Sequence, residues 1–304
     1  AILSGAMIKI SFFAMVRIVL EFGGDYLMGL LMWIGAFTAL AAVISALAQT
    51  DVKRLLAYHS ISQLGYILAV FGAGTAVGLT ASFMHALNHA LFKSLLFLTV
   101  GAAVSFTGER SLNRISGMGS RMPVFAAAFF AAALSISGIP PFNGYASKAF
   151  ITLGMKGTAA YPLLWVTGFL TMASFIKLGR IFLPAYGSEE ARQGPGPLPG
   201  ALETAVVVAL ALMCLGSGVF GTPVAGFLHS MLHGRALEAA PSLFSAGSLL
   251  KTLVLVPLAI AAYRLVLTET GRGLSGRIRA LAPQLRMVLV FFFVGLLAFA
   301  AVAY

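Results

Sequence analysis

Between Phe83 and Phe97 the chain reads FMHALNHALFKSLLF, which sets His85, His89 and Lys93 four residues apart in an otherwise apolar run. Four residues is close to one helical turn, so the three side chains stack on one helix face, about 6 Å apart along the axis. Imidazole exchanges protons near neutral pH, and an amine withdrawn from water can do the same. A stripe of this kind can take up, hold and pass on a proton.

Two further lysines stand in comparable surroundings: Lys9 in AILSGAMIKISFFAMVRIVLEF and Lys148 in SISGIPPFNGYASKAF. A lysine near the centre of a bilayer costs about 2.5–3.5 kcal/mol on insertion scales. Two positive charges 6 Å apart repel by about 2.8 kcal/mol at an effective dielectric of about 20. The acids inside the apolar segments are Glu21 and Glu203, both near segment ends. With so few counter-charges the groups cannot all be charged at once, and protonating one discharges its neighbour. That is the electrostatics of a proton relay.

Other chemistries fit less well. His85 and His89 form an H-x-x-x-H pair without the intervening Glu of the zincins. A second such pair, His229 and His233, has no cysteine nearby, and the closest acid, Glu238, falls off its helix face. No metal site is expected. There is no G-x-S-x-G elbow and no intramembrane aspartate pair for hydrolysis. Cys214 stands alone, so no disulfide forms within this chain.

The elements that position these residues are membrane helices. Of the 304 residues 60% are hydrophobic and 10% charged, with a mean hydropathy of +0.96. A crossing needs roughly 20 apolar residues. Nine stretches qualify: 1–22, 27–49, 55–75, 78–106, 122–155, 159–184, 201–221, 247–267 and 285–304. The expected fold is an all-α polytopic bundle. Pro140 and Pro141 remove two backbone donors and Gly138 and Gly144 loosen the ends, so the fifth stretch breaks over 138–144. Broken helices at membrane depth line wet cavities or lie buried in protein. Lys148 is expected in the first turn of the second half-helix, where the helix dipole disfavours a cation.

The third stretch carries Tyr58, His59, Ser60, Ser62 and Gln63, too polar to face lipid, and Asn88 lies beside His89. Before it, Thr50 and Asp51 read as a helix N-cap and first turn, with Lys53 and Arg54 as a basic collar. A net charge of +11 is spread over short loops and helix ends rather than gathered on one face, which argues against nucleic acid. Lys53, Arg54, Arg110, Arg114, Arg121, Arg192, Arg272, Arg277, Arg279 and Arg286 fall on one side, against Lys156 and Arg235 on the other. By the positive-inside rule the first set faces the cytoplasm, which puts the C-terminus outside an inner (cytoplasmic) membrane.

The stretches LSGAMIKISFFAMVR, ALAQTDVKRLLAYHSISQLGY, FMHALNHALFKSLLFL and SISGIPPFNGYASKAF resemble the antiporter-like subunits of respiratory complex I, multisubunit Na⁺/H⁺ antiporters and energy-converting membrane hydrogenases such as formate hydrogenlyase. The resemblance covers roughly residues 1–185 and implies two inverted five-helix repeats, each with a broken helix. It implies that Lys9 is the central lysine joining two half-channels, that His89 belongs to the second half-channel and that Lys148 is its terminal group. His85 and Lys93 then match the H-x-x-x-H and following lysine of many members, and Lys53 a lysine of the cytoplasmic-side motif. Gln63 stands where some members have a histidine. Members have about seven further helices before the segment matched here, so another polypeptide, or an earlier part of a longer one, is expected to supply the first half-channel.

The implied organisation is a half-channel domain over 1–185, a Pro/Gly-rich connector over 186–200 and packing helices over 201–304. The implied function is proton translocation within a redox-driven complex. No cofactor is expected in this chain; iron–sulfur, nickel–iron or quinone sites belong to partners, which include soluble redox subunits, other membrane subunits and lipid. A Na⁺/H⁺ antiporter subunit, a structural subunit without conduction and a metal hydrolase built on His85 and His89 remain the alternatives.

Overall fold

A computed structural model describes residues 8–184, 196–268 and 271–280. The connector 186–200 lies mostly outside these, and the stretch 285–304 with the C-terminus wholly so. The described residues form helices α1 (Ile8–Phe22), α2 (Asp25–Ala48), α3 (Val52–Gly72), α4 (Ala76–Thr107), α5 (Met118–Arg121), α6 (Pro123–Ser137), α7 (Asn143–Gly154), α8 (Tyr161–Gly179), α9 (Ala201–Val219), α10 (Gly221–His233) and α11 (Ala246–Leu267). A further helix covers 271–280. The fold is all-helical, and among the described residues the β-type pairing is one isolated bridge between Asp51 and Ser111.

Of the described helices, α2, α3, α4, α8 and α9 are long and apolar enough to cross a membrane. The stretch 122–155 divides into α6 and α7, each too short to cross alone. Helix α3 is the central element. Over its most apolar stretch it is 78% buried, against 17% for α9, so its polar residues are enclosed by protein rather than lipid. It lies directly on α2: a Cβ at Gly65 would sit 2.5 Å from the Ala39 nitrogen, and one at Gly35 would sit 2.3 Å from the Ala69 nitrogen. Small residues let two backbones approach this closely where no hydrophobic force holds membrane helices together.

The basic loops gather at one end. Val52 N–H donates to the Arg110 carbonyl (3.0 Å) and Leu112 N–H to that of Thr50 (2.8 Å). Gly117 N–H donates to the Leu183 carbonyl (2.9 Å), and Arg279 Nη1 lies 3.4 Å from Thr50 Oγ1. Asp51 is the N-cap itself, its carboxylate accepting from the Lys53 and Arg54 amides at 2.8 and 2.9 Å; both basic side chains are exposed. Lys177 donates to the Leu47 and Gln49 carbonyls at 2.7 and 2.6 Å and so closes the end of α2. At the opposite end α10 docks on α4, where His229 Nδ1 lies 2.8 Å from Thr80 Oγ1 and His233 Nε2 lies 3.1 Å from the Ala76 carbonyl. The His229–His233 pair thus fastens two helices.

Candidate functional site

The interruption between α6 and α7 follows from missing donors. The helical partners of the Ile136 and Ser137 carbonyls would be the amides of residues 140 and 141, both prolines. Gly138 turns the chain at φ +79°, its N–H reaching back to the Leu134 and Ser135 carbonyls. Lys148 supplies what Pro140 cannot: its Nζ donates to the Ile136 carbonyl at 2.7 Å. A Cβ on Gly138 would lie 2.9 Å from Lys148 Cδ, so this glycine also makes room for the lysine arm. At the break α9 passes so close that a Cβ on Gly218 would sit 2.1 Å from the Pro141 carbonyl oxygen.

This geometry corrects the electrostatics expected from the sequence. Lys148 is the sixth residue of α7, beyond its first turn, and its ammonium meets the C-terminal end of α6. The unsatisfied carbonyls there carry partial negative charge and favour a cation. The ammonium also lies 5.3 Å from the centre of the Tyr66 ring. It opens onto a cavity of about 640 Å³ lined by Tyr66, Ser137, Trp165, Met172 and Lys156 among others.

His85 is fully buried and bridges two helices. Its Nε2 lies 3.0 Å from Gln63 Oε1 on α3, and its Nδ1 lies 2.9 Å from Ser147 Oγ on α7, next to Lys148 in the chain. An amide oxygen only accepts, so Nε2 donates to Gln63, and in the neutral ring Nδ1 accepts from the serine. Ser147 Oγ is also 3.2 Å from the Asn143 carbonyl and 3.3 Å from that of Gly144. Rotating its hydrogen toward these carbonyls lets Nδ1 donate instead, so the same frame accommodates a neutral or a doubly protonated ring. The ring of Tyr66, whose hydroxyl is held by the Leu164 carbonyl at 2.6 Å, stands 6.0 Å from His85 and 5.3 Å from Lys148 Nζ.

Asn88 and Asn143 join α4 to the break. Asn88 Nδ2 donates to the Asn143 carbonyl at 2.9 Å, and Asn143 Nδ2 donates to Asn88 Oδ1 at 3.2 Å. Ser135 Oγ bonds Asn143 Oδ1 and accepts the Gly144 amide at 3.1 Å. Lys93 is wholly buried; its ammonium donates to the Leu56 carbonyl on α3 and lies 5.3 Å from the Phe97 ring centre. The Leu56 carbonyl also accepts the Ser60 hydroxyl at 3.2 Å, and Ser62 donates to the Ala39 carbonyl at 2.9 Å. The Ser62 bond thus ties α3 to α2. Tyr58 packs in a small cluster with Ala46 and Ile61.

His89 is also fully buried, and both of its ring nitrogens lack a hydrogen-bonding partner in the protein. Lys9 is half-buried on α1. His85, His89 and Lys93 lie on the buried face of α4, and Lys148 follows in the chain the Ser147 that bonds His85. Sequence reasoning gave no role to Ser135, Asn143, Ser147 or Ser174, whose small polar side chains carry no signal until the partner helix is known. Tyr66 was hidden as one aromatic among many.

The match to known proteins extends over most of this region. The family model described as NADH:quinone oxidoreductase/Mrp antiporter, transmembrane, matches residues 1–177. The chain belongs to this antiporter family. Hydrogenase-4 component B of Escherichia coli is 34% identical over 247 residues, covering 71% of this chain and 36% of the relative. Formate hydrogenlyase subunit 3 of Escherichia coli is 31% identical over 279 residues, covering 83% and 45%. The chain spans half or less of the length of these relatives. Among solved structures, the Mrp complex from a Dietzia species superimposes with a TM-score of 0.66 at 28% identity, covering 76% of this chain and 52% of that one. Respiratory complex I from Thermus thermophilus gives 0.63 at 23% identity, covering 72% and 48%, a likeness of fold. This antiporter-family chain is a multi-pass membrane protein, and the buried set around His85 and Lys148 lies within the matched residues.

Proposed function

We propose that this chain carries the second half-channel of a proton-translocating, antiporter-like subunit in a redox-driven complex of the cytoplasmic membrane. The observation that carries the reading is His85, held between Gln63 on α3 and Ser147 on α7, beside the broken helix that presents Lys148. Protons enter from the Lys9 end, pass the His85, His89 and Lys93 cluster and leave by way of Lys148. His89, sealed and unmatched by protein, is the group that internal water serves, since a buried polar atom without a partner costs about 1–3 kcal/mol. Residues 1–185 form the conducting unit and the helices after residue 200 brace it, as α9 does at Gly218. The other half-channel, further membrane subunits and soluble redox subunits holding the metal clusters or quinone complete the machine. Its basic end, where Lys53, Arg54 and Arg279 meet, faces the cytoplasm.

The test is proton transport by the assembled complex in inverted membrane vesicles. Lys148→Ala and His89→Ala assemble normally and lower coupled proton uptake by at least tenfold. Uptake at the parental level in either variant removes that residue from the path. Repeating the measurement with and without sodium distinguishes proton conduction from Na⁺/H⁺ exchange.

A further inference from the structure

His59 is the third fully buried imidazole of this region, and the path above leaves it unused. Its Nε2 lies 2.7 Å from Ser174 Oγ on α8, and its ring centre is 4.7 Å from that of Phe175. Its Nδ1 is sealed from solvent and meets no hydrogen-bonding atom of the protein. A histidine serving only to fasten α3 to α8 gains nothing from a second, unmatched nitrogen, and an apolar side chain would avoid the cost of burying it.

The surroundings give that nitrogen a use. Lys93 docks on the Leu56 carbonyl, three residues before His59 and hence on the adjoining face of α3. On the face of α8 that carries Ser174, the buried Thr171 and Thr167 lead back to Leu164, whose carbonyl holds Tyr66, the ring whose centre is 5.3 Å from Lys148 Nζ at the cavity.

We propose that His59 and Ser174 form a second branch of the proton path, running along the α3–α8 contact and joining Lys93 to the Lys148 cavity. The branch rests on the conduction reading for Lys93 and Lys148. The ring takes a proton at Nδ1 from the Lys93 side and gives up the Nε2 proton to Ser174 Oγ. The hydroxyl proton of Ser174 leaves toward Lys148. One proton enters and one leaves, and the ring ends as the other tautomer; rotation about its side-chain bonds then turns Nδ1–H toward Ser174, and the next proton, taken at Nε2 and released from Nδ1, restores the first tautomer.

His59→Gln separates carrying from fastening, because an amide still bonds Ser174 but cannot take a proton through the ring. Coupled proton uptake in inverted vesicles, read by quenching of an acridine dye and expressed per assembled complex, is expected to fall about tenfold in His59→Gln. It falls short of the roughly 10²-fold supplied by a sole proton carrier, because the His85 branch remains. Ser174→Ala falls likewise and Ser174→Thr, which keeps the hydroxyl, retains transport. Parental uptake per complex in His59→Gln, or equal losses in Ser174→Ala and Ser174→Thr, overturns the branch. If His59→Gln fails to assemble, the Ser174 pair decides. Should Lys148→Ala in the same assay also transport normally, the underlying conduction reading fails rather than this branch alone.

Discussion

Lys148 Nζ donates to the carbonyl of Ile136 across the break between α6 and α7, in the place of the amide that Pro140 lacks. The lysine is thereby both the plug of an open helix end and a titratable group of the buried set. A group with those two roles is sensitive to its distance from the α6 terminus. Replacing Gly138 tests this without touching the lysine: Gly138→Ala must adopt φ near +79° and place its Cβ 2.9 Å from Lys148 Cδ. The left-handed conformation costs about 1–2 kcal/mol. The expected outcome is an assembled complex of slightly lower thermal stability with proton uptake reduced well beyond the loss of protein. A variant with parental transport would show that the position of the lysine arm is immaterial.

His85 joins α3 to α7 through Gln63 and Ser147, so these two residues should act through one another. Ser147→Ala and Gln63→Leu each leave one buried nitrogen of His85 unmatched, at about 1–3 kcal/mol. In a double-mutant cycle with thermal denaturation of the solubilised complex, their coupling energy is expected at about 0.5–3 kcal/mol. Strict additivity would mean that the imidazole does not bridge the helices.

Lys177 provides the contrast to Lys148. Its ammonium is consumed by the Leu47 and Gln49 carbonyls at the end of α2. Lys177→Met is expected to lower thermal stability by about 1–3 kcal/mol, from two lost charge-assisted bonds, and to leave proton uptake per assembled complex unchanged. Selective loss of uptake would move Lys177 into the path.

Much of this was legible in the sequence for a simple reason: a bilayer punishes unpaired polar groups, so each deep Lys or His and each Pro in an apolar run stands out. The bounds of α4, α8, α9 and α11 lie within two or three residues of the apolar stretches read beforehand, apart from the end of α8, which stops at Gly179. The chain between α6 and α7 turns at Gly138 and the two prolines. The four-residue spacing of His85, His89 and Lys93 put them on one buried face because helix geometry is local.

The sequence by itself determined the class of element, the place of the interruption and the scarcity of counter-charge, since all three depend on neighbours along the chain. Only the tertiary structure decided which groups meet. That Lys148 answers a carbonyl of α6 rather than the dipole of α7, that Gln63 serves His85, and that His59 turns to Ser174 are settled by how separate helices pack. Close approach of backbones at Gly35 and Gly65 brings α3 into the middle of the bundle. Residues 22 to 115 positions apart thereby become hydrogen-bond partners, and no periodicity within a single helix encodes such a pairing.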